Sequence, residues 1–500
     1  MTDTPSSGTL TSIEQRGIEP VPAAERTGQA GALFWVWFAA NISILGLPLG
    51  ATLVAFQHLT IWQALLVAVI GAAGSFAVVG VISIAGRRGG APGLTLSRAV
   101  FGVRGNIGPT FVSLLSRLGW ETVNTTTAAF VLLSLFTIVV PESTAGTDGD
   151  AKHNPVLTIV AILVFVVATV LISGLGHAFI VAVQKWATWV FGALNVFVAV
   201  FLVVRVDWHV VGSAPAGPFA AMAIGIGTIA AGTGIGWATA GADIARYSKT
   251  SVRAGKLVSA SAAGAGIPLV VLVGLGALVS AGDPTLAQAG DPVAAIRDLL
   301  PGWMAVPYLI AAFGGLLLSN HLSVYSASLT TLTLGIKVPR VWAVTVDVVV
   351  TFLGAMYFML VADGFYAPFI TFISVLAVPI TAWLGVFIAD VARRTWYDPE
   401  ALLDLRAGGR YWYSGGIAWR AVIAWAVAIV VGFLFTSVQV GDADPVFVGA
   451  FASTWIGANG LGWIVTFIVA AALYLLTGGP KGALHAPADE SAPLPASEDA

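Results

Sequence analysis

The chain has no cysteine among its 500 residues and only six histidines. Disulfides, thiolate nucleophiles, zinc–cysteine centres and iron–sulfur clusters are therefore excluded. Charge is scarce too: Asp, Glu, Lys and Arg make up 10% of the residues, with a net charge of −2. There is no basic face and no Lys/Arg run interleaved with aromatics, so nucleic acid is not an expected partner. The first residues, MTDTPSSGTLTSIEQRGIEP, are polar and carry acids, unlike a cleaved signal peptide.

What the chain has in abundance is apolar surface. Hydrophobic residues make up 57% of it, and the mean hydropathy is +0.90. A soluble protein of this length could not hide so much, so the composition implies an all-α polytopic membrane protein. At about 20 apolar residues per crossing, twelve spans follow. They start near Leu33, Trp62, Pro109, Pro155, Phe179, Phe219, Leu257, Trp303, Val341, Tyr366, Ile417 and Val448. Charged residues between the spans set the orientation, because cytoplasmic loops collect Lys and Arg. With the N-terminus inside, every Lys and Arg falls on the cytoplasmic side except Lys152, Arg205 and Arg297 outside and Arg117 within a span. Asp243, Arg246 and Lys249 then mark an interface, as does Asp390. Both termini are expected inside, and the tail from about Lys481, rich in Pro, Ala and acids, is expected to be disordered.

Two spans carry helix breakers. The first, LFWVWFAANISILGLPLGATL, holds Gly46, Pro48 and Gly50 with Asn41 and Ser43 at mid-depth; the sixth, Gly225 to Arg246, holds six glycines and Trp237. Backbone groups must be satisfied inside a bilayer, so unwinding is tolerated only against protein or water. Transporters build substrate and ion sites from such broken helices at matching places in two inverted repeats. The pattern divides the chain into an N-terminal cytoplasmic segment (1–30), a first repeat of five spans (31–205) and a second (217–391). A cytoplasmic loop (392–416), two further spans (417–478) and the disordered tail (479–500) complete it. The glycines of span six read as hinge and backbone lining, leaving Thr233 and the amides of Gly232 to Gly236, Gly234 included, open to a ligand.

Polar side chains at membrane depth each need a reason. Span three reads RLGWETVNTTTAAF, with Arg117/Glu121 and Trp120/Asn124 each spaced i,i+4 on adjacent faces. The Arg/Glu pair fits either self-neutralisation or a part in coupling. Trp120 with Asn124 fits a planar heterocycle, stacked on the indole and read by the carboxamide. Trp237 would be a second aromatic wall. Span eight, LLLSNHLSVYSASLTTLTLGIKVPR, concentrates Ser319, Asn320, Ser323 and Ser326 within two turns, and hydroxyl oxygens suit a hard monovalent cation. His321 reads as a hydrogen-bonded structural residue, and Asp347 of span nine has no assigned partner.

IEQRGIEPVPAAERTG followed by FWVWFAANIS, GWATAGADIARYSK, and SNHLSVYSASLTTLTLGIKVPR together resemble the nucleobase:cation symporter-1 family, the purine, cytosine and hydantoin permeases. The resemblance runs to about span ten. It implies a twelve-helix, five-plus-five inverted-repeat fold of the LeuT type with discontinuous helices one and six. A bundle of spans one, two, six and seven would rock against a scaffold to give alternating access. By position, the family's substrate residues fall on Trp120, Asn124, Trp237 and Asn320, with Glu121, Thr233, Gly234 and Ser323 beside them. The family's cation site falls on the backbone of Ala39 and Ile42 and on Gly315 and Ser319. Sodium-coupled members carry two adjacent hydroxyls on span eight, where this chain has Leu318-Ser319. With one hydroxyl missing, proton coupling stands beside sodium, with Glu121 as the protonatable group.

The expectation is a secondary active importer of a nucleobase-like heterocycle in the plasma membrane, with cotransported H+ or Na+ and no cofactor. A same-fold symporter for an amino acid or another small metabolite is the alternative. A membrane enzyme would need a metal cluster or an activated nucleophile, and a channel a repeated pore motif or charged rings; neither is present in the sequence.

Overall fold

The computed structural model describes residues 16–139, 154–174, 177–204, 206, 208–282, 292–336, 338, 340–362, 366–439, 444–478 and 484–485. Lys152, Arg205, Lys337 and Lys481 lie outside these, as do residues 1–15 and the tail apart from Leu484 and His485.

Apolar runs become helices because only helices satisfy every backbone group without water. Among the described residues, nine helices are long and apolar enough to cross a membrane, and a bent pair makes a tenth span. Two shorter apolar helices, Trp419–Phe435 and Gly462–Leu476, stand where spans eleven and twelve are expected and are labelled so below. Span one consists of Ala30–Asn41 and Gly46–Ala55, which meet at 64°. Span two is Ile61–Gly89, opened by a capping box in which Thr60 and Gln63 satisfy each other's backbone amides. Span three is Ile107–Val139, span four Pro155–Gly174 and span five His177–Val204. Span six is Phe219–Ala245, span seven Ala254–Gly282 and span eight Gly302–Thr333. Spans nine and ten are Arg340–Leu360 and Tyr366–Val391.

Span six departs from the expected break. It changes winding instead: a π turn at Ala231–Ile235, then a 3₁₀ turn at Ala238–Ala240, then a last α turn at Gly241–Ala245. Its glycines serve packing more than hinging. A Cβ on Gly241 would stand 2.8 Å from the Val79 carbonyl, and one on Gly234 2.5 Å from the backbone of Ser75. Spans one and seven meet the same way, since a Cβ on Gly50 would overlap the Val273 carbonyl and one on Gly276 the Leu47 carbonyl. Gly80 lies against Val258 and Gly86 against Ala242. Spans one, two, six and seven are thus knit backbone to backbone, as small residues allow in membranes.

Span twelve begins at Gly462, well beyond Val448. The intervening chain forms a small antiparallel pair, Ser437–Val438 with Phe447–Val448, and a helical turn at Trp455–Ala458 capped by Thr454. Gly449 and Gly457, each packed against backbone carbonyls, keep this segment folded tightly on itself before the helix starts.

At the face carrying the N-terminal segment, Lys249 is exposed as expected, but Asp243, Arg246 and Asp390, also expected at an interface, are buried. Arg246 donates to the Gly17 carbonyl (2.7 Å) and to the hydroxyls of Tyr247 and Tyr325 (both 2.9 Å). Asp243 accepts from the Gly93 amide (3.0 Å) and the Ser326 hydroxyl (2.6 Å). Asp390 is fully buried against Arg394 (2.6 Å) and the Tyr474 hydroxyl (2.5 Å). Distant partners, invisible to a hydropathy ruler, make this burial possible. The 392–416 segment folds onto the same face: Tyr413 donates to the Ala99 carbonyl (2.7 Å), and burial pushes its hydroxyl above the usual tyrosine range.

Candidate functional site

Spans three and eight cross five spans apart and so run antiparallel. Their polar residues therefore meet as rungs. Ser323 donates to Glu121 Oε1 at 3.0 Å, which fixes one rung. Three residues up span three is Asn124, and three residues back along span eight is Asn320; each step is about 4.5 Å of helix rise. One turn the other way, Arg117 lies within electrostatic reach of Asp243, which holds Ser326.

Several atoms on these rungs have no partner. The Oδ1 atoms of Asn124 and Asn320, Glu121 Oε2, and Arg117 Nε and Nη1 are all buried and unbonded. Asn320 uses its amide group on Thr169 of span four, 3.1 Å away. Buried polar groups are nearly always bonded, so a cluster of unbonded ones marks a place where something else binds.

Aromatic rings close the side toward span six. Trp120 stands edge-to-face with Phe369 of span ten, centroids 5.3 Å apart. A Cβ on Gly236 would lie 3.0 Å from the Trp120 Nε1, so glycine there admits the indole. Trp237 packs edge-on against Trp37 at 5.6 Å, and the Arg117 guanidinium lies 4.5 Å over its ring. Arg117 also donates to the Gly236 carbonyl. The i,i+4 pairing of Arg117 with Glu121 is therefore not formed: the guanidinium turns to span six and the carboxylate to span eight.

Thr233 and Gly234 belong elsewhere. Thr233 donates to its own helix at Ile229 (2.6 Å) and meets Ser75 at 3.3 Å, while the Gly234 amide donates to Ser75 (3.1 Å). Both face span two. At the break of span one, Ala39 and Ile42 pack with Leu318, and a Cβ on Gly315 would lie 2.6 Å from the Ile42 carbonyl. The break and span eight thus meet where the cation residues were expected; Ser319 is buried on the next position. His321 donates through Nδ1 to Leu317 (2.9 Å), a bond within its own helix. Ser75 and Phe369 lie in no motif quoted from the sequence, and Trp37, though within FWVWFAANIS, has no role assigned there; all three were found only through packing.

The space beside Trp120 is only about 10 Å³, room for a single water. A larger cavity of about 480 Å³ opens on the opposite face from the N-terminal segment, between the end of span one, spans six and ten, and the segment before span twelve. Ala231, Ile235 and Ala377 line both spaces.

A multi-span helical bundle with a broken first helix, whose buried and unbonded polar groups gather between helices, defines a membrane transporter. The chain belongs to a family described as permease for cytosine/purines, uracil, thiamine, allantoin, whose model matches residues 20–478. A putative purine-cytosine permease of Bacillus subtilis, YxlA, is 27% identical over 94% of this chain and 96% of its own. The purine-cytosine permease FCY21 of Saccharomyces cerevisiae is 27% identical over 55% of this chain and 50% of its own. Among solved structures, Mhp1, a nucleobase-cation-symport-1 family transporter in a closed conformation with bromovinylhydantoin bound, superposes with a TM-score of 0.70. It has 20% identity and covers 93% of this chain and 95% of its own. MhsT in complex with L-phenylalanine shares the fold at a TM-score of 0.56 and 14% identity.

Proposed function

We propose that the protein imports a nucleobase or a related planar nitrogen heterocycle across the plasma membrane together with a monovalent cation, with both termini in the cytoplasm. The observation that carries this is the pair of buried, unbonded carboxamide oxygens of Asn124 and Asn320 on one level, beside Trp120. Two acceptors held at fixed height suit the ring N–H and amino groups of such a heterocycle, and the indole offers its face. Family membership supports the substrate class.

The site as it stands is too small for a ring, so binding requires span ten or span six to move from Trp120. The 480 Å³ cavity reaches Ala231, Ile235 and Ala377 from the opposite face and is the approach from outside. The glycine seams of spans one, two, six and seven let those helices move as one body against spans three and eight, which is how alternating access would proceed. The Ile42 carbonyl beside Gly315, with Ser319, is the candidate sodium site; no other cofactor is needed.

Uptake of radiolabelled cytosine, adenine, hypoxanthine, uracil, allantoin and hydantoin into a permease-deficient host tests this. Saturable uptake of at least one, competed by its close analogues, is expected. Absence of uptake for every heterocycle, with the protein present in the membrane, contradicts it.

A further inference from the structure

The charges buried around span three do not balance. Three buried carboxylates lie along the rungs: Glu121 of span three, which feels Asp347 of span nine, and Asp243 of span six, which shares the Arg117 guanidinium with Glu121. Two guanidiniums face them, Arg117 and Arg246. All five side chains are at least 97% buried. Asp243 is well satisfied, by the Gly93 amide, the Ser326 hydroxyl and both guanidiniums nearby. Glu121 and Asp347 are not. Glu121 has one hydroxyl on Oε1 and nothing on Oε2; Asp347 has the Thr331 hydroxyl within reach, yet its Oδ2 is buried and unbonded, and neither carboxylate has a cation bonded to it among the described residues. The cation beside Glu121, Arg117, turns its guanidinium to the Gly236 carbonyl and the Trp237 ring.

Among the described side chains, nothing else packed on span three supplies the missing charge; the side chain of Arg340, at the start of span nine, lies outside them. Span four, Pro155–Gly174, has no titratable side chain. Span ten brings Asp390, already paired with Arg394. Span eight brings His321, whose Nδ1 hydrogen is held by Leu317, and span nine brings the exposed Tyr357. The helix Pro292–Asp298 brings Arg297 and Asp298, paired with each other at the surface. Arg98 is bonded to the carbonyls of Leu402 and Thr333 at the end of span eight. Leaving a second carboxylate charged in such a place costs several kcal/mol of desolvation, and like charges nearby add to it. One bound proton cancels the imbalance.

We propose that Glu121 and Asp347 together hold one proton, and that this proton is the ion carried in with the substrate. The proposal rests on the transport reading above and makes the coupling ion H+ rather than Na+. Its geometry explains coupling: Glu121 is next to Trp120 and one turn below Asn124, so a bound heterocycle senses its charge. Asp347, near the cytoplasmic end of span nine, is the step toward release. The carried proton enters from outside onto the empty pair at Glu121, passes to Asp347 and leaves to the cytoplasm; both carboxylates are then charged until the next proton enters from outside.

Proteoliposomes loaded in sodium-free buffer, tested in turn with radiolabelled cytosine, adenine and uracil, give the test. The readout is accumulation driven by an acid-outside pH gradient, divided by exchange in the same vesicles, which normalises for altered substrate binding. In Glu121→Gln and Asp347→Asn this ratio is expected to fall at least tenfold from wild type. A ratio equal to wild type in both variants, or a wild type that accumulates substrate only with sodium, overturns the proposal. A second measurement is independent of transport: the infrared carbonyl band of a protonated carboxylic acid in purified protein at pH 7, expected in wild type and lost in the Glu121→Gln, Asp347→Asn double variant. Its absence from wild type refutes the proton site even where transport is confirmed. Its presence in a protein that exchanges no heterocycle leaves the site standing and overturns the transport reading.

Discussion

Asn124 and Thr233 looked equally available in the sequence, yet their surroundings differ in kind. Asn124 keeps a buried oxygen without a donor, whereas Thr233 is bonded to Ile229 and Ser75. Ser75 in turn accepts from the Gly234 amide. Removing its hydroxyl strands a buried N–H, which costs about 1–3 kcal/mol. Ser75→Ala is therefore expected to lower the thermal midpoint of the purified protein by several degrees. Thr233→Ala strands no backbone donor and should shift the midpoint less, with heterocycle affinity unchanged; a loss of affinity in Thr233→Ala would return that residue to the site. Charged side chains were the least legible class. Asp243, Arg246 and Asp390 sit where hydropathy ends, and only contacts from Gly93, Gly17, Tyr325 and Tyr474 reveal that they are buried. Spacing placed Arg117 and Glu121 together on one face correctly, but could not show that each bonds to a different helix.

At the scale of elements, the sequence pattern located the breaks better than it described them. Pro48 and the glycines around it forecast the 64° bend of span one, because a proline near a helix start removes a donor that has no partner there anyway. The glycines of span six looked like the same device and are mostly packing surfaces, a distinction that depends on what lies opposite. Val79, Ser75 and Phe76 lie opposite, all from span two. The seam between spans one and seven is the tightest of these contacts. Gly50→Ala and Gly276→Ala each force a methyl into a backbone carbonyl, and overpacking of this kind costs about 1–3 kcal/mol. Both are expected to lower stability in a detergent melting assay, while Gly74→Ala in span two, with nothing near its would-be Cβ, should not. Equal melting of all three would mean that the seam is loose. Span twelve starts later than hydropathy suggests, because the apolar Val446 to Val448 enters a strand pairing rather than a helix.

For the whole molecule, the helical architecture was legible from apolar runs and the level of the proposed site from i,i+4 spacing; the conformation was not. Whether a space beside Trp120 is open or closed is a matter of how whole helices sit, and here it is closed to about 10 Å³ while a cavity of about 480 Å³ stands at the other end of the same path. On the proposed reading the chain thus has a binding level between spans three and eight, an approach to it, and a glycine-knit group of helices to move past it. The claim on which all of this depends is that a planar heterocycle binds at the Asn124/Asn320 level. The most direct measurement is equilibrium binding to purified protein of whichever radiolabelled heterocycle the cells take up, comparing wild type with Asn124→Ala. Asn124 Oδ1 bonds to nothing in the structure, so its loss should leave the melting temperature unchanged. Losing a ligand hydrogen bond of about 1–3 kcal/mol should weaken binding from fivefold to more than a hundredfold. Unchanged affinity in a folded Asn124→Ala protein would contradict the account.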